Sequence, residues 1–174
     1  MATETEVKIK VDSSKLEQIT AFLGKPEYFT QTNIIYSNGK GILRLRAEKG
    51  NTVVTYKGPR MNDEFGSREE IEVSFEGDEK FHSLRLMLEK IGLTETLCYN
   101  KNRAEFDFRH CKICLDSTSK GDFIEIEAKY SKDIKKAMAF FNLNTRDIEK
   151  RSYLELLGCT GDDAKKGFDC SRGT

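Results

Sequence analysis

Glu4-Thr5-Glu6-Val7-Lys8 stands at the start of this chain, and its charged alternation returns on later stretches. On an extended strand residues i, i+2 and i+4 share a face. Glu4, Glu6 and Lys8 therefore point one way, and Thr5, Val7 and Ile9 the other. The pattern repeats with Arg44 and Arg46 against Leu43 and Leu45, and with Thr55 and Lys57 against Val54 and Tyr56. It repeats again with Arg68, Glu70 and Glu72 against Ile71 and Val73, and with Lys101, Arg103 and Glu105 against Ala104 and Phe106. Asp116 falls opposite Leu115, and Glu125, Glu127 and Lys129 oppose Ile124, Ile126 and Ala128.

An open antiparallel sheet with one wet side also alternates, but its wet face mixes Ser, Thr, Gln and Lys. Here the polar face is almost wholly ionised, with Arg rather than Lys at paired positions, and Arg suits bidentate recognition of phosphate. Turn residues divide the chain into strands near 2–11, 28–36, 41–48, 51–57, 67–76, 96–108, 111–117 and 122–130. A helix follows the Ser14-x-x-Glu17 capping box and ends at Gly24 and Pro26. Further helices are expected at 79–91, 132–141 and 146–157. Eight antiparallel strands can close on themselves. The expected fold is α+β: an eight-stranded antiparallel β-barrel, a tunnel with a charged lumen, with short helices packed outside on the apolar faces. One domain is expected over 1–158. After Gly158 the composition turns to Gly, Asp and Lys, which reads as a disordered tail over 159–174.

The 174 residues carry 29 Lys+Arg and 29 Asp+Glu, so no net field favours nucleic acid or a membrane. No apolar run reaches the ~20 residues of a spanning helix, and no signal-peptide core opens the chain. Five cysteines without framework spacing read as reduced thiols of a cytoplasmic protein. Cys111-x-x-Cys114 lies in a strand-like run, where residues three apart face opposite sides, so it is no half zinc site. His82 and His110 are isolated, no Ser/His/Asp set is in view, and the Gly-rich phosphate loops are missing.

A charged lumen is costly unless a counter-charge fills it. The carboxylates of Glu4 and Glu6 and of Glu125 and Glu127 suit a hard cation such as Mg²⁺ or Mn²⁺. Lys8, Arg44, Arg46, Lys57, Lys101 and Arg103 suit phosphate oxygens. A divalent ion between the two sets is what phosphoryl transfer asks of a protein: positioning and charge neutralisation.

The segments Glu4-Thr-Glu-Val-Lys8, Leu43-Arg-Leu-Arg46, Thr55-Tyr-Lys-Gly-Pro59, Arg68-Glu-Glu-Ile-Glu72, Lys101-Asn-Arg103, Leu115-Asp116 and Gly121-Asp-Phe-Ile-Glu-Ile-Glu127 occur in this order. Together they resemble the CYTH superfamily, the triphosphate tunnel metalloenzymes. Arg151-Ser-Tyr-Leu-Glu-Leu-Leu157 is similar to the terminus of its class IV adenylate cyclase-like branch. The resemblance implies an eight-stranded tunnel that binds a triphosphate with Mg²⁺ or Mn²⁺. By motif position it implies metal carboxylates at Glu4, Glu6, Glu125 and Glu127, assisted by Glu70 and Asp116. It implies phosphate contacts from Lys8, Arg44, Arg46, Lys57, Arg68, Lys101 and Arg103, with Lys8, Arg46 and Lys57 as the catalytic cations.

Family activities divide into cyclic AMP formation from ATP and hydrolysis of inorganic, thiamine or RNA 5′-triphosphates. Ala2-Thr3 stand where bacterial class IV cyclases carry His-Phe. The chain has no Trp, which animal-type thiamine triphosphatases place on the thiamine ring. Tyr28, Phe29 and Tyr36 are candidates for a stacking surface, against a plain packing role. The expectation is a divalent-metal-dependent triphosphatase acting on inorganic or nucleoside triphosphate. The alternatives are a class IV adenylate cyclase and a non-catalytic polyphosphate or nucleotide binder. The expected partner is a small-molecule triphosphate, with no nucleic acid and no membrane, and the chain acts as a monomer or homodimer.

Overall fold

The computed structural model describes residues 2–37, 41–62, 65 and 67–158, the side chains of 2–4 and 37 excepted. The strands are β1 (Ala2–Val11), β2 (Phe29–Ser37), β3 (Ile42–Glu48), β4 (Asn51–Lys57), β5 (Arg68–Glu76), β6 (Glu95–Phe108), β7 (Cys111–Thr118) and β8 (Gly121–Ala128). The helices are α1 (Ser13–Leu23), α2 (Glu79–Lys90), α3 (Ser131–Phe140) and α4 (Tyr153–Leu157). The strands form a closed antiparallel ring in the order β1-β5-β4-β3-β2-β6-β7-β8. The expected α+β barrel of eight strands is therefore the observed fold. The tail expected at 159–174 lies outside the described residues.

The packing resolves into two compact units, 2–29, 59–70 and 101–150 in the first and 30–58, 71–100 and 151–158 in the second. In the first, β1, β8, β7 and β6 pair in sequence, and the register puts Glu6 opposite Glu127, Lys8 opposite Glu125, and Arg103 opposite Asp116. The alternate residues Val7, Ile9, Ala104, Ile113, Leu115, Ile124 and Ile126 form a core with Ile19 of α1 and Ile134, Ala137 and Met138 of α3. Each large side chain buried there stabilises the fold by about 1.5–3 kcal/mol. Ile124 has no exposed surface. Ile124→Ala is therefore expected to lower unfolding free energy by about 2–5 kcal/mol, the usual range for such truncations, as read by urea denaturation.

In the second unit, β2, β3 and β4 form a meander. Glu48 pairs with Asn51, which leaves Lys49 and Gly50 as a two-residue loop with φ of 48° and 73°. Positive φ at both positions is the turn whose twist suits a hairpin, and Gly takes it without a Cβ clash. Leu88 of α2 seals a core of Ile34, Tyr36 and Leu45. Tyr36 is 1% exposed, and its hydroxyl reaches Glu95 at 3.5 Å. It is a packing residue, which removes it as a stacking candidate.

Four local expectations are corrected. The cap of α1 is Asp12, whose Oδ1 accepts from the Lys15 amide at 2.8 Å, rather than Ser14. Residues 146–157 do not form one helix: a 3₁₀ turn at Thr145–Asp147 gives way to an extended piece in which Ile148 bridges Ile9 and the Glu149 amide donates to the Lys8 carbonyl. Pairing with β1 outweighs local helix preference there. Helices do not cover every apolar face, since Ile71, Val73 and Phe75 of β5 are 51%, 51% and 36% exposed. Finally, Cys98 is disulfide-bonded, unlike the buried free thiols Cys111 and Cys114.

Candidate active site

Strands β1 and β8 place Glu6, Glu125 and Glu127 on one face of the first unit. One oxygen from each lies within 4.8 Å of the others, near enough for all to serve one small cation. Glu6 and Glu127 sit directly opposite each other across the pair. Like charges in that position destabilise a sheet unless a cation joins them. Three hard oxygen donors at this spacing fit Mg²⁺ or Mn²⁺.

Around the carboxylates stands a buried lattice of cations. Arg103 Nε and Nη2 donate to the two oxygens of Asp116, each at 2.6 Å, and Lys101 Nζ donates to Asp116 Oδ2 at 2.6 Å. Arg103 Nη2 also donates to Glu125, and its Nη1 to Glu127 at 3.3 Å. Lys101 lies 3.9 Å from Glu125. Arg68 donates to Glu6 at 3.1 Å and to Glu70 at 2.9 Å. Lys8, 8% exposed, faces Glu125 across the strands.

This arrangement sets the charge states. Burial acts to raise the Glu125 carboxyl, but Lys101, Arg103 and Lys8 outweigh it and hold the group well below the usual carboxylate range. Burial pushes Glu127 up, Arg103 opposes, and Glu125 and Glu6 add to the rise. Two carboxylates two residues apart thus have opposed acidities, and Glu127 is the one short of positive charge. Burial lowers Lys8, with Glu125 and Glu6 working against it. Burial works against the charged Arg103, yet Glu125 and Asp116 hold it protonated.

Of the expected carboxylates, then, Glu6, Glu125 and Glu127 come together. Asp116 and Glu70 instead engage cations, and the side chain of Glu4 lies outside the described residues. Of the expected cations, Lys8, Arg68, Lys101 and Arg103 belong to the first unit. Arg44, Arg46 and Lys57 belong to the second, where each has a partly or fully buried side chain. Arg44 Nη2 donates to Thr55 Oγ1 at 3.0 Å and lies 3.6 Å from Glu72, while its Nε is a buried donor with no acceptor among the described residues.

Sequence reasoning missed four residues on the same strand faces. Cys114 directs its thiol at Glu127, with Sγ 3.7 Å from Oε1, and burial pushes that thiol up. Gln31, Asn33 and Glu48 surround Arg46. The period of two at Gln31-x-Asn33, with Ile34 and Tyr36 opposite, was the available signal.

The family model of the CYTH domain matches residues 2–153. The chain belongs to the CYTH family. A Methanocaldococcus jannaschii protein named "Putative adenylate cyclase" is 30% identical, the match covering 89% of this chain and 98% of the relative. Among solved structures, the PH1012 protein of Pyrococcus horikoshii OT3 superposes with a TM-score of 0.74 at 23% identity, covering 88% of this CYTH chain and 98% of that one. A Hippeastrum protein, described as a "Putative adenylyl cyclase" with a dominant triphosphatase activity, has a TM-score of 0.63 at 15% identity, covering 92% and 98%. These structural likenesses concern the fold. No helix of the described residues is long and apolar enough to cross a membrane.

Proposed function

We propose that the chain is a divalent-metal-dependent triphosphatase that cleaves the terminal phosphoanhydride bond of inorganic or nucleoside triphosphate. The observation that carries this reading is the meeting of Glu6, Glu125 and Glu127 beside Lys8, Arg68, Lys101 and Arg103 in one unit. Mg²⁺ or Mn²⁺ held by those three carboxylates supplies charge neutralisation and polarises phosphoryl oxygens.

The cations of the chain bind the phosphate oxygens and stabilise charge that builds on the bridging oxygen as the bond breaks. Asp116 orients Lys101 and Arg103, so their donors are in place before substrate arrives. Arg44, Arg46 and Lys57 are proposed as further phosphate-binding groups, and the buried Arg44 Nε, which has no acceptor among the described residues, suits an anionic oxygen. In the balanced step, water adds to the terminal phosphorus and the anhydride opens. Inorganic phosphate leaves with pyrophosphate or a nucleoside diphosphate.

The M. jannaschii relative favours a second reading, adenylate cyclisation. There the ribose 3′-hydroxyl attacks the α-phosphorus and pyrophosphate leaves. Products decide between them. Tripolyphosphate, ATP, GTP and thiamine triphosphate are each incubated with Mg²⁺ or Mn²⁺, and the products are identified. Phosphate release supports the triphosphatase, and cyclic AMP with pyrophosphate supports the cyclase. Tight triphosphate binding without turnover, indifferent to metal, marks a non-catalytic binder.

A further inference from the structure

We infer that Asn33 is a positioning residue for Arg46, an inference that rests on the phosphate-binding role proposed for that arginine. Asn33 and Arg46 are partners across β2 and β3. Arg46 Nε donates to Asn33 Oδ1 at 2.8 Å, and Asn33 Nδ2 donates to the Gln31 carbonyl at 3.3 Å. The amide is held at both ends in a single orientation, because a flipped amide would set its NH₂ against the guanidinium N–H. Gln31 Nε2 in turn donates to Glu48 Oε2, and that oxygen lies 3.6 Å from Arg46 Nη1. Gln31 and Asn33 have no exposed surface, and Arg46 is 7% exposed.

The guanidinium is thus hydrogen-bonded through Nε by Asn33, while the Glu48 carboxylate attracts Nη1 by charge from 3.6 Å. A hydrogen bond at Nε restricts the plane of the fork, and the plane decides which oxygens it meets. Most of the ordering is done before binding, so less conformational freedom is lost when an anion arrives. Asn33 supplies its share of the grip through a neutral amide, which leaves the arginine its charge. No contact between Asn33 and substrate is needed for this role.

The test is a double-mutant cycle on kcat/KM for tripolyphosphate with Mg²⁺, using wild type, Asn33→Leu, Arg46→Ala and the double variant, with thermal denaturation of each. Asn33→Ala replaces the leucine variant if that does not fold. Asn33→Leu is expected to lose on the order of tenfold to a hundredfold, the scale of a misplaced binding group. The double variant is expected to be no worse than Arg46→Ala alone, since an amide with no arginine to hold has no further effect. Asn33→Asp, which keeps the Oδ1 acceptor, is expected to lose less than Asn33→Leu. Losses that add in the double variant, or an unimpaired Asn33→Leu or Arg46→Ala, overturn the inference while leaving the triphosphatase standing. A wild type that releases no phosphate overturns the proposed function itself, and the inference with it.

Discussion

Glu127→Gln is expected to abolish most metal-dependent turnover while leaving the metal-free protein at least as stable as the wild type. The amide keeps an oxygen toward Arg103 Nη1, which stands 3.3 Å away, so the local hydrogen bond survives. What goes is one of three anionic ligands, and with it the charge that faces Glu6 across β1 and β8. Relief of a directly opposed like-charge pair contributes about 0.2–1 kcal/mol to the sheet. Loss of a group that organises charge at the reacting phosphate costs on the order of a hundredfold or more in kcat. The paired measurements are phosphate release with Mn²⁺ and thermal denaturation in chelator. Activity near the wild-type level, or a marked fall in stability, would show that Glu127 serves the fold rather than the chemistry.

Asp116→Ala is expected to act in the opposite way, with the larger effect on stability. The Asp116 side chain has no exposed surface, and the Lys101 and Arg103 side chains bonded to it are 1% and 6% exposed. Removing one partner of a buried ionic cluster leaves uncompensated charge and typically costs about 3–5 kcal/mol. Glu125 remains beside both cations, which places the expected loss at about 3 kcal/mol, the lower end of that range. For a chain of this size each kcal/mol moves Tm by roughly 2–4 °C, so a drop of several degrees is expected. Tripolyphosphate should restore part of it, because the ligand supplies the missing negative charge and binds only the folded state. An alanine variant as stable as the wild type would contradict the buried network.

These two carboxylates illustrate what a linear reading reveals and what it does not. The period of two sorts each strand into an ionised and an apolar face, and that suffices for the barrel and for the chemistry of its polar side. Glu6, Glu125 and Glu127 are legible as a group because each alternates with β-branched or aliphatic neighbours. The pairing of acid with base is not legible. It depends on register, and register places Arg103 opposite Asp116 and Glu6 opposite Glu127. Reading by residue type groups Glu70 and Asp116 with the metal carboxylates, while the structure bonds Glu70 to Arg68 and Asp116 to Lys101 and Arg103. Gln31 and Asn33 escaped notice because amides carry no charge and blend with an ordinary wet face. The extended piece at Ile148 escaped because its β1 partner is remote in the chain, and local helix preference gives no sign of such a pairing. The exposed stripe of Ile71, Val73 and Phe75 resembles a core face in its alternation, and only the packed structure shows that no helix of the described residues lies on it.

On the proposed function, one constellation of acids and cations takes a divalent ion and a triphosphate together. Anomalous scattering from Mn²⁺, in crystals grown with a non-hydrolysable triphosphate, tests it most directly. The expected result is a peak within bonding distance of Glu6, Glu125 and Glu127, with phosphate density against Lys8, Lys101 and Arg103. A Mn²⁺ peak remote from these carboxylates, or a triphosphate seated away from those cations, would contradict it.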